Sequence, residues 1–333
     1  MGVPTRFGGV AVLVVAVCAL ATPGRIAAAA GAGARTAGDL AAAAAAPVAS
    51  AAASAVSGRA DVVAAAAAAT GSSSAGDVAA LQVALRVGGL YDGSVDGIAG
   101  PATNGAVRAF QARAGLVVDG IAGPRTRRAL GWRGRPSLDA RVMTAGARGW
   151  DVAAAQFLLA RAGFPSGPFD GVAGPRFTAA LQRFQTWAGL AADGVAGPAT
   201  IAALGRPPPR SPLRFRFPVA VPVGDRFGPR ADSFHTGVDF PAPTGTPVAA
   251  ASAGCVVSAS FDDGYGLLVV LRHTLGVTTW YAHLSRIDVR PGACVTAGAR
   301  LGAVGATGHA TGPHLHFEVR VRGAATDPLL ALG

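Results

Sequence analysis

The sequence predicts a multidomain chain in which two small all-α domains, each a three-helix unit, precede a mainly antiparallel β domain. Three observations carry this: a motif set repeated at an offset of 74 residues, a proline-rich break at Arg206-Pro-Pro-Pro-Arg-Ser-Pro212, and β-branched runs with period-two alternation confined to the last third. Bulk hydrophobicity says less. Much of the 51% apolar content is alanine gathered before residue 75, which adds little core volume.

Residues 1–30 carry Arg6, the apolar run Val10–Ala21 and small residues at Ala27–Ala30, the layout of a secretory signal with an A-x-A-type cleavage region. The run is short for a membrane span, so no membrane insertion is expected after signal removal. Lipidation at Cys18 is disfavoured because bulky Val17 precedes it. Residues 31–75 are rich in Ala, Gly and Ser, cannot bury a core, and are expected to be a linker.

The repeats occupy residues 76–132 and 149–205, with 133–148 expected as a linker between them. Asp77, Gln82, Asp96-Gly97, Phe110-Gln111, Asp119-Gly120 and Thr126 recur as Asp151, Gln156, Asp170-Gly171, Phe184-Gln185, Asp193-Gly194 and Thr200. Each copy also echoes within itself: Asp96-Gly-Ile-Ala-Gly-Pro101 returns at Asp119, and Asp170-Gly-Val-Ala-Gly-Pro175 returns at Asp193. In the first copy, Val78, Leu81 and Leu85 mark one helix, and Pro101 and Pro124 open the next two. The Asp-Gly turns supply side-chain hydrogen bonds and positive φ ahead of each proline.

This motif set resembles the peptidoglycan-binding domain of bacterial wall hydrolases, with Ala155 replacing a leucine in the second copy. The resemblance implies modules that dock on wall peptide or glycan. Individual Asp-Gly and Phe-Gln pairs are read as structural.

Residues 206–212 form a stiff proline-rich linker, and residues 213–333 make up the β domain. All six histidines lie in the last third of the chain. Four of them, in His235-Thr-Gly-Val-Asp239, His283 and His314-Leu-His316, join Asp239 in a set suited to a Zn²⁺ site with an open position and two spare imidazoles. Strand periodicity puts His314, His316 and Glu318 on one face, with Leu315 and Phe317 facing the core. If residues 235–240 are extended, His235 and Asp239 share a face. Thr279, Tyr281 and His283 are expected to line another.

Here the chain resembles the lysostaphin-type, LytM-like zinc endopeptidases. The His-x-x-x-Asp motif, Tyr281-Ala-His283-Leu and Thr311-Gly-Pro-His-Leu-His-Phe-Glu318 all match, as do Phe227-Gly-Pro-Arg230 and Pro243-Thr-Gly-Thr-Pro247. Ala310 departs from the serine common there. The resemblance implies His235, Asp239 and His316 as zinc ligands and His283 and His314 as the catalytic pair, their roles undivided. His273 and His309 match no motif position, and Glu318 is read as supporting the site rather than reacting.

The formal charge of +11 is spread over modules and linkers, and every basic residue is arginine. No basic stripe with interleaved aromatics appears, so nucleic acid is not an expected partner. Cys255 and Cys294, the cysteines left once a signal is removed, are a natural disulfide in an oxidising compartment; two free thiols are the alternative. Together the two resemblances imply a secreted, wall-associated zinc endopeptidase that cuts peptide stems or cross-links of peptidoglycan. The rival, a non-catalytic wall-binding regulator, predicts a missing ligand or catalytic histidine, and none is missing.

Overall fold

A computed structural model describes residues 74–333. The expected signal segment 1–30 and nearly all of the 31–75 linker lie outside the described residues.

Each repeat folds as three helices. The first has α1 (Ala75–Val87), α2 (Pro101–Arg113) and α3 (Pro124–Ala129); the second has α4 (Trp150–Arg161), α5 (Pro175–Ala188) and α6 (Pro198–Leu204). Ser74 caps α1 by accepting the Asp77 N–H, while proline opens α2, α3, α5 and α6, where a missing N–H costs nothing.

The repeated glutamines hold the turns between these helices. Gln82 donates through Nε2 to Asp96 Oδ1 (2.7 Å) and the Ile98 carbonyl (3.1 Å), and its Oε1 accepts from Asp96 and Gly97 N–H. Gln111, Gln156 and Gln185 grip Asp119-Gly120, Asp170-Gly171 and Asp193-Gly194 in the same way. The four turn glycines have φ of 72–78°, a left-handed conformation that a side chain would strain.

The two repeats share a core. Ala79, Ala80 and Val83 of α1 cluster with Ala153, Ala154 and Phe157 of α4, and Trp150 Nε1 donates to Asp77 Oδ1 at 2.7 Å. In the segment 133–148, Met143 is fully buried and bridges to Ala196.

The C-terminal part is antiparallel β. A hairpin of β1 (Gly228–Arg230) and β2 (Ser233–His235) forms a small sheet of its own. The large sheet runs β11 (Ala324–Thr326), β10 (His314–Val321), β7 (Val277–Ile287), β6 (Gly266–Arg272), β5 (Gly254–Asp262), β8 (Cys294–Val295). Off that path, β3 (Val238–Pro241) pairs with β10, and β9 (Arg300–Val304) pairs with β7 and β4 (Pro247–Ala249). One face packs Val238, Phe240, Val269, Leu271, Tyr281, Leu315 and Phe317 into the core. Tyr281 is wholly buried, and its hydroxyl accepts from the Ala251 N–H and Thr279 Oγ1; burial pushes its pKa up to about 12. His273 also has a structural place, bonding the Ala253 carbonyl and Thr279.

Cys255 and Cys294 lie opposite each other on β5 and β8 and are joined as a disulfide. The bridge closes a span of 39 residues, so replacing both cysteines with alanine is expected to lower stability by about 2–4 kcal/mol. Chemical denaturation of the double variant checks this; an unchanged midpoint contradicts it.

Candidate metal centre and active site

Three elements deliver the cluster. The β1–β2 hairpin ends on His235, β3 carries Asp239, and β10 carries His316 directly opposite Asp239 in the antiparallel ladder. The donor atoms converge: His235 Nε2 lies 3.1 Å from Asp239 Oδ1 and 3.0 Å from His316 Nδ1, and His316 Nδ1 lies 2.8 Å from Asp239 Oδ1. These are the residues among those described whose spacing suits a bound cation.

Proton placement strengthens this. A carbonyl can only accept, so His235 Nδ1, 2.9 Å from the Arg226 oxygen, carries the proton and leaves the Nε2 lone pair facing the cluster. His316 presents the other nitrogen, because its Nε2 donates to Glu318 Oε1 at 3.0 Å. With both rings neutral, two imidazole lone pairs and a carboxylate oxygen face one point, a set that fits Zn²⁺ or a similar cation. Asp239 Oδ2 is held from behind by Arg230 Nη2 at 3.1 Å.

Electrostatics agree. Burial alone raises the Asp239 carboxyl, but hydrogen bonds and charge from His235 and His316 outweigh it and hold it well below the usual carboxylate range. Burial lowers His316, yet Asp239 and Glu318 together lift it to about 9. The same carboxylates that favour a proton on His316 favour a cation in its place.

Glu318 is fully buried and is the only glutamate in the chain. Burial raises its carboxyl, but Arg320 and His316 hold it low, and Thr236 Oγ1, Tyr265 Oη and Arg320 Nε all donate to it. Its Oε1 accepts from His316 Nε2 and so fixes which nitrogen of that ring faces the cluster. Glu318→Gln keeps the shape but removes the charge, and is expected to weaken metal binding by about 10–100-fold. A competition titration with a chromogenic chelator measures this.

The second pair sits beside the cluster. His283 and His314 have ring centroids 4.8 Å apart, and His314 Nε2 lies 3.8 Å from Asp239 Oδ1. Each ring donates through Nδ1 to a carbonyl, His283 to Thr307 at 2.7 Å and His314 to Gly312 at 2.8 Å, so both have Nε2 free. Burial lowers the pKa of His283 below the ordinary imidazole value, which keeps it neutral at neutral pH. All five residues line one cavity of about 800 Å³, with His309 and Asp225 among its other walls.

The period-two expectation for β7 breaks at His283. His283 does not share a face with Thr279 and Tyr281: those two point into the core, while His283 lies with His316 and His314. The cause is a bulge, where two steps on β6 (Leu267 to Val269) oppose three on β7 (Tyr281 to Leu284), and His283 itself has φ of 58°. The extra residue turns His283 out of the core face. Behind it, the Gly264–Gly266 turn crosses the loop around Thr307 so closely that a Cβ on Gly308 would sit 2.3 Å from Gly266 N.

Nothing in the sequence assigns a part to Thr307, Tyr265 or Arg230. Gly264-Tyr-Gly266 reads only as turn punctuation, and Arg230 was visible in a matching motif but without a partner to explain it.

Residues 233–328 match the family described as Peptidase family M23, and residues 74–130 and 148–204 match the family described as Putative peptidoglycan binding domain. Over 113 residues the chain is 42% identical to the DD-carboxypeptidase/endopeptidase Mpg of Neisseria meningitidis, covering 33% of this chain and 26% of that protein. It is 40% identical over 126 residues to the peptidoglycan DD-endopeptidase ShyC of Vibrio cholerae, covering 36% of this chain and 28% of that one. The chain thus spans about a quarter of the length of these curated relatives. Among solved structures, the catalytic domain of the antimicrobial peptidase lysostaphin from Staphylococcus simulans is 38% identical, covering 33% of this chain and 90% of that one with a TM-score of 0.33. By the family matches, the chain carries a domain of peptidase family M23 at residues 233–328, with two putative peptidoglycan binding domains ahead of it.

Proposed function

We propose that this protein is an exported zinc-dependent endopeptidase that hydrolyses peptide bonds in peptidoglycan stems or cross-links, with its two modules tethering it to the wall. The observation that carries the reading is the convergence of three donor atoms, from His235, Asp239 and His316, beside two imidazoles whose Nε2 atoms are unengaged. The endopeptidase names of the Neisseria and Vibrio relatives support the reaction class. The paired modules support the substrate, because tethering raises local concentration without altering the site.

His235, Asp239 and His316 are the metal ligands in this reading. A bound Zn²⁺ supplies polarisation of the scissile carbonyl and lowers the pKa of water to ~7. His283 is the proton acceptor: its Nδ1–H is committed to Thr307, its burial keeps it neutral, and its Nε2 is left to take the proton of the attacking water. His314 faces the same space and is placed to hydrogen-bond the developing oxyanion or the leaving amine. Glu318 and Arg230 keep the ligands aimed.

The test is digestion of purified peptidoglycan with the zinc-loaded protein, with and without chelator, followed by mass analysis of the fragments. New amino and carboxyl termini within the wall peptide, lost on chelation and restored by zinc, are expected. Solubilisation that survives metal removal, or new reducing sugar ends instead of peptide termini, contradicts the reading.

A further inference from the structure

The first ligand sits on an element with little support of its own. The β1–β2 hairpin is not hydrogen-bonded into the large sheet, and an isolated two-stranded hairpin is marginal in water. Yet it ends on His235, and Arg230 from its other strand reaches Asp239. At its base, Phe227 and Phe234 pack edge to face with centroids 5.0 Å apart, and His235 Nδ1 bonds the Arg226 carbonyl. Its tip, Ala231 and Asp232, turns with a φ of 51° at Ala231.

That tip is gripped by the two modules at once. The Val95 N–H donates to the Ala231 carbonyl at 2.8 Å, and the Phe169 N–H donates to the Asp232 carbonyl at 2.6 Å. Val95 and Phe169 are 74 residues apart, the repeat offset, and each immediately precedes its Asp-Gly turn. Equivalent backbone donors of the two modules thus meet consecutive carbonyls of one turn. The Ala231 N–H is also taken, by Ser94 Oγ at 3.2 Å, and Phe234 packs against the apolar cluster that both modules share. Phe234 also lines the active-site cavity, so this contact runs from the module cores to the wall of the site.

We propose that the paired modules are part of the catalytic unit: by holding the hairpin tip, Ser94, Val95 and Phe169 act as positioning residues for His235 and, through Arg230, for Asp239. This rests on the zinc-site reading above. A ligand fixed before the metal arrives needs no ordering when it binds, so loosening the grip lowers metal affinity as well as turnover. A pure tether makes a different prediction, because its loss raises KM on the wall and leaves a small soluble substrate untouched.

The experiment uses the full chain and three variants. Ser94→Trp wedges the contact, Ser94→Ala removes only the acceptor for the Ala231 N–H, and Trp187→Phe deletes a module-to-sheet hydrogen bond, to the Val321 carbonyl, remote from the hairpin in sequence. Three readouts are taken: zinc affinity, amide exchange over Gly228–His235 in the metal-free chain, and kcat and KM on a soluble cross-linked peptide. Ser94→Trp is expected to weaken zinc about tenfold or more, in the range typical of lost support around a metal ligand, with faster hairpin exchange, lower kcat and unchanged KM. Ser94→Ala should shift the same way by less, and Trp187→Phe should match the parent. Zinc affinity and hairpin exchange unchanged in both Ser94 variants overturn the inference. A parent chain that binds no zinc instead removes the reading beneath it.

Discussion

His316→Ala is expected to reduce peptidoglycan cleavage to background, by on the order of 10³-fold or more, and to lose the bound metal with it. His316 gives one of three converging donor atoms, and Glu318 fixes which of its nitrogens faces the cluster. With alanine there, His235 and Asp239 remain as two donors, fewer than a catalytic zinc site typically uses. The several kcal/mol of charge stabilisation that the cation supplies disappears, and each 1.36 kcal/mol is a factor of ten in rate. The fold should persist, because Glu318 keeps Arg320, Thr236 and Tyr265 as partners. Metal analysis beside a thermal melt separates the two effects. Full activity from a folded, metal-free His316→Ala protein would falsify the ligand assignment.

The second large effect concerns His283, and the informative variant is His283→Asn. Alanine would confuse chemistry with strain, since the residue sits at φ of 58°, a region that asparagine tolerates better than most side chains. Loss of a positioned proton acceptor costs about 10²–10⁴-fold in kcat. Metal content should be unchanged, because His283 is not among the three clustered donors. The pH profile adds a sign. Burial depresses the His283 pKa, so the neutral, proton-accepting form survives below the ordinary imidazole value of about 6.5 and activity falls only as pH drops through the lowered pKa. The acidic limb of kcat/KM for the metal-saturated enzyme should lie below that value. A midpoint above it, or a His283→Asn enzyme of parental kcat, argues against this role.

Much of the molecule is legible in its sequence. The Asp-Gly-x-Ala-Gly-Pro echoes announced turns with positive φ followed by proline-started helices, and the structure has four of them, each held by a glutamine that the sequence repeats at the matching place. Period-two alternation in His314–Val319 put His316 and Glu318 on one face and Leu315 and Phe317 in the core, as found. Alternation failed at His283, because a bulge breaks the period and no residue near it signals the break.

From the sequence alone came the turn chemistry and the face of each side chain on its own regular strand, local properties set by backbone sterics and side-chain period. The choice of His235, Asp239 and His316 as ligands came only from the family resemblance. Only the tertiary structure brought Asp239 opposite His316, 77 residues later, inverted His283, gave Arg230 its partner, and set the β1–β2 tip between two repeats. Strand pairing, the placing of an extra residue in a ladder and contacts between distant segments are decided by packing over the whole chain. Period-two patterning contains none of that information.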